Sequence, residues 1–144
     1  MAYESVVVYT DGASGGNPGP AGIGFVVYDE HNPQEPIFSF AHYIGITTGN
    51  VAEYEALISA LKWLLKNNIQ KAVIYTDSEL VYKQLTGAYR VKSAHIRNLV
   101  SHARQLLNKF KEIDLKTIPR EENRAANKLA QRIVKNIKKQ KKPS

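Results

Sequence analysis

Two β-rich runs in this chain end in the same dipeptide. Val6-Val7-Val8-Tyr9-Thr10-Asp11 and Ala72-Val73-Ile74-Tyr75-Thr76-Asp77 are both rich in β-branched and aromatic residues, which suit the pleated, half-buried surface of a strand. Each run delivers a carboxylate at its end. One such Asp is an ordinary turn opener, because its side chain bonds the backbone just ahead. The repetition favours chemistry. If the two strands are parallel neighbours, both carboxylates emerge at the carboxyl edge of one sheet, where open α/β sheets bind their ligands. After Asp11 the chain passes into Gly12-Ala13-Ser14-Gly15-Gly16-Asn17-Pro18-Gly19, residues that permit tight turns and close approach of another backbone or a phosphate.

In chain order the patterning predicts strands over 4–10, 22–28 and 37–44, joined by short loops as an antiparallel meander. The glycines of Gly22-Ile23-Gly24 mark a bulge or a close backbone contact. Tyr54, Leu57, Ile58, Leu61, Leu64 and Leu65 recur at helical spacing and predict a helix over 51–66. A strand over 71–76, a short helix from Ser78 stopped at Gly87, a longer helix over 94–110 and a last strand over 112–118 follow. The final helix packs through Ala126, Leu129, Ala130, Ile133, Val134 and Ile137, which sets a domain over 1–137 and a fraying basic tail over 138–144. Antiparallel strands followed by strand–helix–strand crossovers give an α/β fold, a mixed sheet flanked by helices.

Composition excludes several classes. The 144 residues, 43% hydrophobic with no cysteine, form one domain with a real core and no disulfide or thiolate metal site. No apolar run approaches the roughly 18 residues of a membrane span. Met1-Ala2-Tyr3-Glu4 starts no signal peptide, so a cytoplasmic protein, acting as a monomer away from membranes, is expected. A net charge of +7, with no acid after Glu122, suits a polyanionic partner or simple solubility.

Glu53 lies near the start of the first predicted helix and can point along the sheet toward Asp11 and Asp77. Three converging carboxylates raise one another's pKa unless cations sit among them. Oxygen-only clusters of this kind suit magnesium or manganese, and two such ions can drive phosphodiester hydrolysis.

Four segments then form a recognisable set: Thr10-Asp11-Gly12-Ala13 with Asn17-Pro18-Gly19, Asn50-Val51-Ala52-Glu53-Tyr54, Thr76-Asp77-Ser78, and Pro119-Arg120-Glu121-Glu122-Asn123-Arg124-Ala125-Ala126-Asn127-Lys128-Leu129-Ala130. In this order and spacing they resemble the type 1 ribonuclease H family, across nearly the whole chain. The resemblance implies a ribonuclease H-like, five-stranded sheet of order 3-2-1-4-5. It implies an endonuclease that hydrolyses the RNA strand of RNA–DNA hybrids with two Mg2+ ions (Mn2+ as substitute), leaving 5′-phosphate and 3′-hydroxyl ends. Asp11, Glu53 and Asp77 match the first three catalytic and metal-holding carboxylates. Asn127 stands where the family carries the fourth, an Asp, and as an amide offers only a neutral oxygen. Substrate contacts are implied for Gly12, Ser14, Asn17, Thr48, Asn50 and Ser78.

The alternative is a nucleic-acid-binding module of the same fold whose chemistry is impaired at Asn127. Relatives of the fold that cut DNA junctions or join strands fit less well, because the chain has no insertions and keeps both the Thr-Asp-Gly-Ala and the Asn-x-Ala-Glu signatures.

Overall fold

The β-branched run that opens the chain forms β1 (Val6–Ser14) in a computed structural model describing residues 3–141. β1 pairs antiparallel with β2 (Gly19–Asp29), which pairs antiparallel with β3 (Asn32–Thr47). α1 (Gly49–Lys66) crosses over to β4 (Lys71–Thr76), which lies parallel to β1. α2 (Glu79–Leu85) and α3 (Ala94–Leu107) cross to β5 (Glu112–Thr117), parallel to β4. The chain closes with a 3-10 turn at Arg120–Glu122 and with α4 (Arg124–Lys141). The sheet order is β3-β2-β1-β4-β5, as expected for a ribonuclease H-like sheet.

Strand alternation assigns one face to each helical layer. Val6, Val8 and Thr10 of β1, with Ala72, Ile74 and Thr76 of β4, turn to the face covered by α1 and are buried. There Tyr54, Leu57, Leu61 and Leu64 meet Phe25 and Val27, and Leu99, Val100 and Ala103 of α3 close the layer. Each side chain buried fully in this way stabilises the fold by about 1.5–3 kcal/mol. Trp63, half-buried, stacks on Phe38 with ring centroids 4.5 Å apart and packs against the edge of the core. The hydroxyls of Thr48, Ser78 and Ser93 cap α1, α2 and α3, each worth about 1 kcal/mol.

α4 covers the opposite face, and small residues let it come close. Ala126 and Ala130 are fully buried, and Gly22 and Gly24 of β2 lie directly beneath them. A Cβ on Gly24 would sit 2.7 Å from Cβ of Leu129 and 2.8 Å from the Ala126 carbonyl oxygen. The glycines therefore mark a close approach, and the register of β2 on β3 also shifts between Ala21 and Gly22.

Three expectations are corrected. β1 does not end at Thr10: Gly12, Ala13 and Ser14 stay in register with Ile23, Gly22 and Ala21, because an antiparallel partner satisfies their amides. α3 ends at Leu107, where Asn108 caps it and Phe110 folds back into the core. α4 continues past residue 138 to Lys141, since Lys and Gln are good helix formers and cations near a helix C-terminus oppose its dipole favourably. Residues 142–144 of the expected tail lie outside the described residues.

Gly24→Ala should destabilise the protein by about 1–3 kcal/mol in urea unfolding, because the added methyl meets helix backbone that cannot yield cheaply. Gly49→Ala, with nothing within 4 Å of the new methyl, should be neutral or stabilising by up to about 1 kcal/mol. Equal stability of Gly24→Ala and the parent would show that α4 does not rest on β2.

Candidate active site

The parallel pairing of β1 with β4 ends at Thr10 opposite Thr76. Asp11 and Asp77 each follow by one residue, so the two carboxylates leave the sheet side by side. Glu53, in the first turns of α1, reaches the same place because Gly12 carries no side chain. A Cβ there would overlap the Ala52 backbone; instead the Gly12 N–H donates to Oε1 of Glu53 at 2.7 Å. One oxygen from each of Asp11, Glu53 and Asp77 lies within 4.8 Å of the others. The three acids predicted from sequence thus form a single cluster.

No lysine or arginine is paired with them among the described residues; the two ion pairs found, Lys71–Glu112 and Lys83–Glu79, lie elsewhere. Two amides bind them instead. Nδ2 of Asn127 donates to Oδ2 of Asp11 at 2.7 Å, which brings this sequence-predicted residue into the cluster. Nδ2 of Asn123 donates to Oδ2 of Asp77 at 3.1 Å and to the Thr10 carbonyl at 2.9 Å. Asn123 is only 1% exposed, and its Oδ1 is buried with no partner. Sequence reasoning quoted Asn123 within a motif but gave it no role. Its signal was position: it stands one helical turn before Asn127, and its carbonyl accepts the Asn127 N–H that opens α4.

Burial and like charge disturb the cluster's titration. Burial, a hydrogen bond with Asp11 and the charges of Asp11 and Asp77 hold Glu53 well above the ordinary 4.5, while the Gly12 amide works the other way. Burial and the Asp11 charge raise Asp77 as well, opposed by the Asn123 hydrogen bond and the Arg120 guanidinium. Both shifts mean that the folded, cation-free site prefers to hold protons. The donor set is all hard oxygen, negatively charged and without an organic counter-ion, so it fits a divalent cation such as magnesium or manganese.

The acids open into a cavity of about 490 Å3 that Gly12, Ser14, Asn50, Ser78, Arg120 and Gln131 also line. Four of the six expected substrate contacts, Gly12, Ser14, Asn50 and Ser78, therefore border it. Thr48 and Asn17 do not: Thr48 accepts the Val51 N–H as the α1 cap, and Asn17 is exposed in the β1–β2 turn. Several of the others are already engaged within the protein. The Gly12 amide holds Glu53, the Ser14 hydroxyl donates to the Thr47 carbonyl at 2.7 Å, and the Ser78 hydroxyl caps α2. Asn50 differs, since its buried Oδ1 has no partner.

The pKa shifts give a stability prediction with a definite sign. A carboxylate whose folded pKa is raised stabilises the fold below its unfolded value, and that contribution is lost as pH rises through the folded value. In chelator, Glu53→Gln should therefore gain Tm over the parent progressively as pH increases above about 4.5. Saturating magnesium should remove the parent's disadvantage. A Tm difference that does not change with pH would show that Glu53 is not charge-stressed.

A family model described as reverse transcriptase-like matches residues 9–133. The ribonuclease HI of Halobacterium salinarum is 38% identical over 125 residues, covering 87% of this chain and 62% of that protein. The bifunctional protein Rv2228c of Mycobacterium tuberculosis is also 38% identical over 125 residues, but this chain spans only 34% of its length. Among solved structures, RNase H1 of H. salinarum superposes with a TM-score of 0.87 at 36% identity, covering 92% of this chain and 98% of that one. LC11-RNase H1, isolated from compost and solved in complex with an RNA/DNA hybrid, superposes with a TM-score of 0.82 at 34% identity, covering 92% and 98%. With a family model matched over most of its length, and solved RNase H1 chains above 30% identity of which it covers 98%, the chain belongs to the reverse transcriptase-like family and, within it, to the type 1 ribonucleases H.

Proposed function

We propose that this chain is an endonuclease that hydrolyses the RNA strand of RNA–DNA hybrids, leaving 5′-phosphate and 3′-hydroxyl ends. The observation that carries this reading is the cluster of Asp11, Glu53 and Asp77 within 4.8 Å at the carboxyl edge of the sheet, in a chain 34% identical to LC11-RNase H1, which was solved with an RNA/DNA hybrid. Two Mg2+ ions, or Mn2+ in their place, held by Asp11, Glu53, Asp77 and Oδ1 of Asn127, would supply an activated water and charge stabilisation at the leaving oxygen.

The chain's own residues do the rest. Asn123 fixes the rotamer of Asp77 through a hydrogen bond anchored on the Thr10 carbonyl, so that carboxylate needs no rearrangement to act. Glu53 holds a proton more readily than an ordinary carboxylate and gives it up where divalent charge offsets Asp11 and Asp77. Asn127 restrains Asp11 from its other side. Rotating its amide exchanges Nδ2 for Oδ1, so the same residue can donate to Asp11 or present a neutral oxygen. A neutral oxygen attracts a cation less than a carboxylate does, and this lowers the site's affinity for metal. Asn50, which lines the cavity but whose Oδ1 is buried and unpartnered, would turn its amide outward to accept from a donor on the duplex. Recognition of a 2′-hydroxyl on one strand separates RNA from DNA.

Labelled RNA–DNA hybrid, duplex RNA and duplex DNA incubated with magnesium should show cleavage of the hybrid's RNA strand alone. Asp11→Asn and Asp77→Asn should each lower that rate by at least about 100-fold, since loss of several kcal/mol of charge stabilisation is involved. An intact hybrid that the parent still binds would instead favour the impaired binding module. A second measurement isolates the fourth position. Asn127→Asp should lower the magnesium concentration for half-maximal cleavage and reduce the Tm of the chelated protein, because a fourth carboxylate joins three others. Superimposable magnesium titrations would remove Asn127 from the metal site.

A further inference from the structure

The positive charge of this protein is concentrated in one helix. Eight of its 20 Lys and Arg residues, and none of its 13 Asp and Glu residues, lie beyond Glu122, which leaves twelve cations against thirteen acids in the part before it. Apart from this segment the chain is close to neutral. Within α4, Lys128, Arg132, Lys135, Lys138 and Lys139 are all exposed, and none forms an ion pair among the described residues. They wall a cavity of about 650 Å3 that reaches Asn127 and Gln131. Gln131 also lines the acidic cavity, so the two adjoin at this residue. At the far end, the Lys138 side chain lies against Gly15 in the turn after β1, beside the Ser14 that borders the acids.

We infer that this flank of α4, from Gln131 to Lys135 and Lys138, is a phosphate track that carries a nucleic-acid duplex away from the acidic cluster. The inference rests on the proposed hybrid-directed function only for the identity of the duplex. Its physical need is local. Three clustered carboxylates repel a polyanion, so an approaching strand requires compensating cations on a neighbouring surface. The climb from Asn127 to Lys138 is about 16 Å at about 1.5 Å per residue. Measured along a duplex axis, that length holds roughly five phosphates of one strand, at a rise of about 3.4 Å each. A rigid helix holds its exposed lysines along this length, and their long stems let the ammonium groups reach solvent. The track reads phosphate and not sequence, so its signature is counterion release.

Binding of fluorescent RNA–DNA hybrid and of DNA duplex of equal length is measured by anisotropy in chelator, across about 50–200 mM salt. Two double variants remove the same charge: Lys135→Gln with Lys138→Gln on the track, and Lys109→Gln with Lys111→Gln in the exposed turn before β5, at the opposite end of the parallel strands. The track pair should flatten the slope of log K against log salt by about 1.8, near 0.9 per phosphate contact. The control pair should change it far less. Lys135→Arg with Lys138→Arg should restore the slope, which separates charge loss from damage to the helix. Equal effects of the two glutamine pairs would overturn the inference and reduce α4 to a contributor of net charge. An unaltered slope in the track pair would also overturn it. A parent that cleaves no hybrid, yet loses slope on both duplexes in the track pair alone, would refute the proposed nuclease and leave the track standing.

Discussion

Three carboxylates held within 4.8 Å of one another in a half-dry pocket are the constraint on which the rest of this structure depends. At 4 Å, two unit charges repel by about 4 kcal/mol at an effective dielectric near 20. Chain connectivity alone would not hold such a cluster together. It is enforced by the parallel register that ends at Thr10 and Thr76, and by the close seating of α1 on Gly12. The hydrophobic layer beneath α1, from Val6 and Val8 to Leu61 and Leu64, offsets the strain. The raised pKa values of Glu53 and Asp77 are the residual stress.

The neighbours of the cluster are chosen for polarity without charge. Asn123 and Asn127 each give an N–H to a carboxylate, which stabilises the anion without neutralising it. A lysine in either place would quench the site's attraction for a divalent cation and occupy its volume. Arg120 is near enough to lower Asp77 but forms no ion pair with it among the described residues. An acid cluster braced by amides keeps its net charge for a cation, and this arrangement makes the site more than a packing curiosity of the strand ends.

Much of this was legible in the sequence, and the reasons differ by residue. Asp11 and Asp77 were readable because strand pattern is local and their shared Thr-Asp ending fixes the position of each carboxylate relative to its strand. Glu53 followed from helical phase. Gly22 and Gly24 announced close approach, although the partner, α4, is more than a hundred residues away in sequence. The strand beyond Asp11 was hidden because Gly12, Ala13 and Ser14 have weak strand preference, and only pairing with β2 holds them extended. Thr48 and Ser78 were read as substrate contacts, and the structure uses both hydroxyls as helix caps. Asn123 was the real omission. Its role exists only once the chain has returned across the sheet to lay one amide on both Thr10 and Asp77.

α4 ties these threads together, since the same helix supplies Asn127 to the acids and the basic flank to the solvent. The two functions constrain each other. A carboxylate at position 127 would stand three residues after Arg124, at the spacing where helix neighbours meet, so part of its charge would be spent on a cation of the helix itself. The amide avoids that competition and leaves Lys128 and its neighbours without an intrahelical acid. It also removes one of four mutually repelling charges, which favours the cation-free fold. On the proposed function, the cost is a weaker attraction for divalent ions at this one position. A helix without a single acid beyond Glu122 thus reads as a consistent choice: the clustered acids come from β1, α1 and the end of β4, and α4 meets them with the Asn127 amide and the solvent with cations.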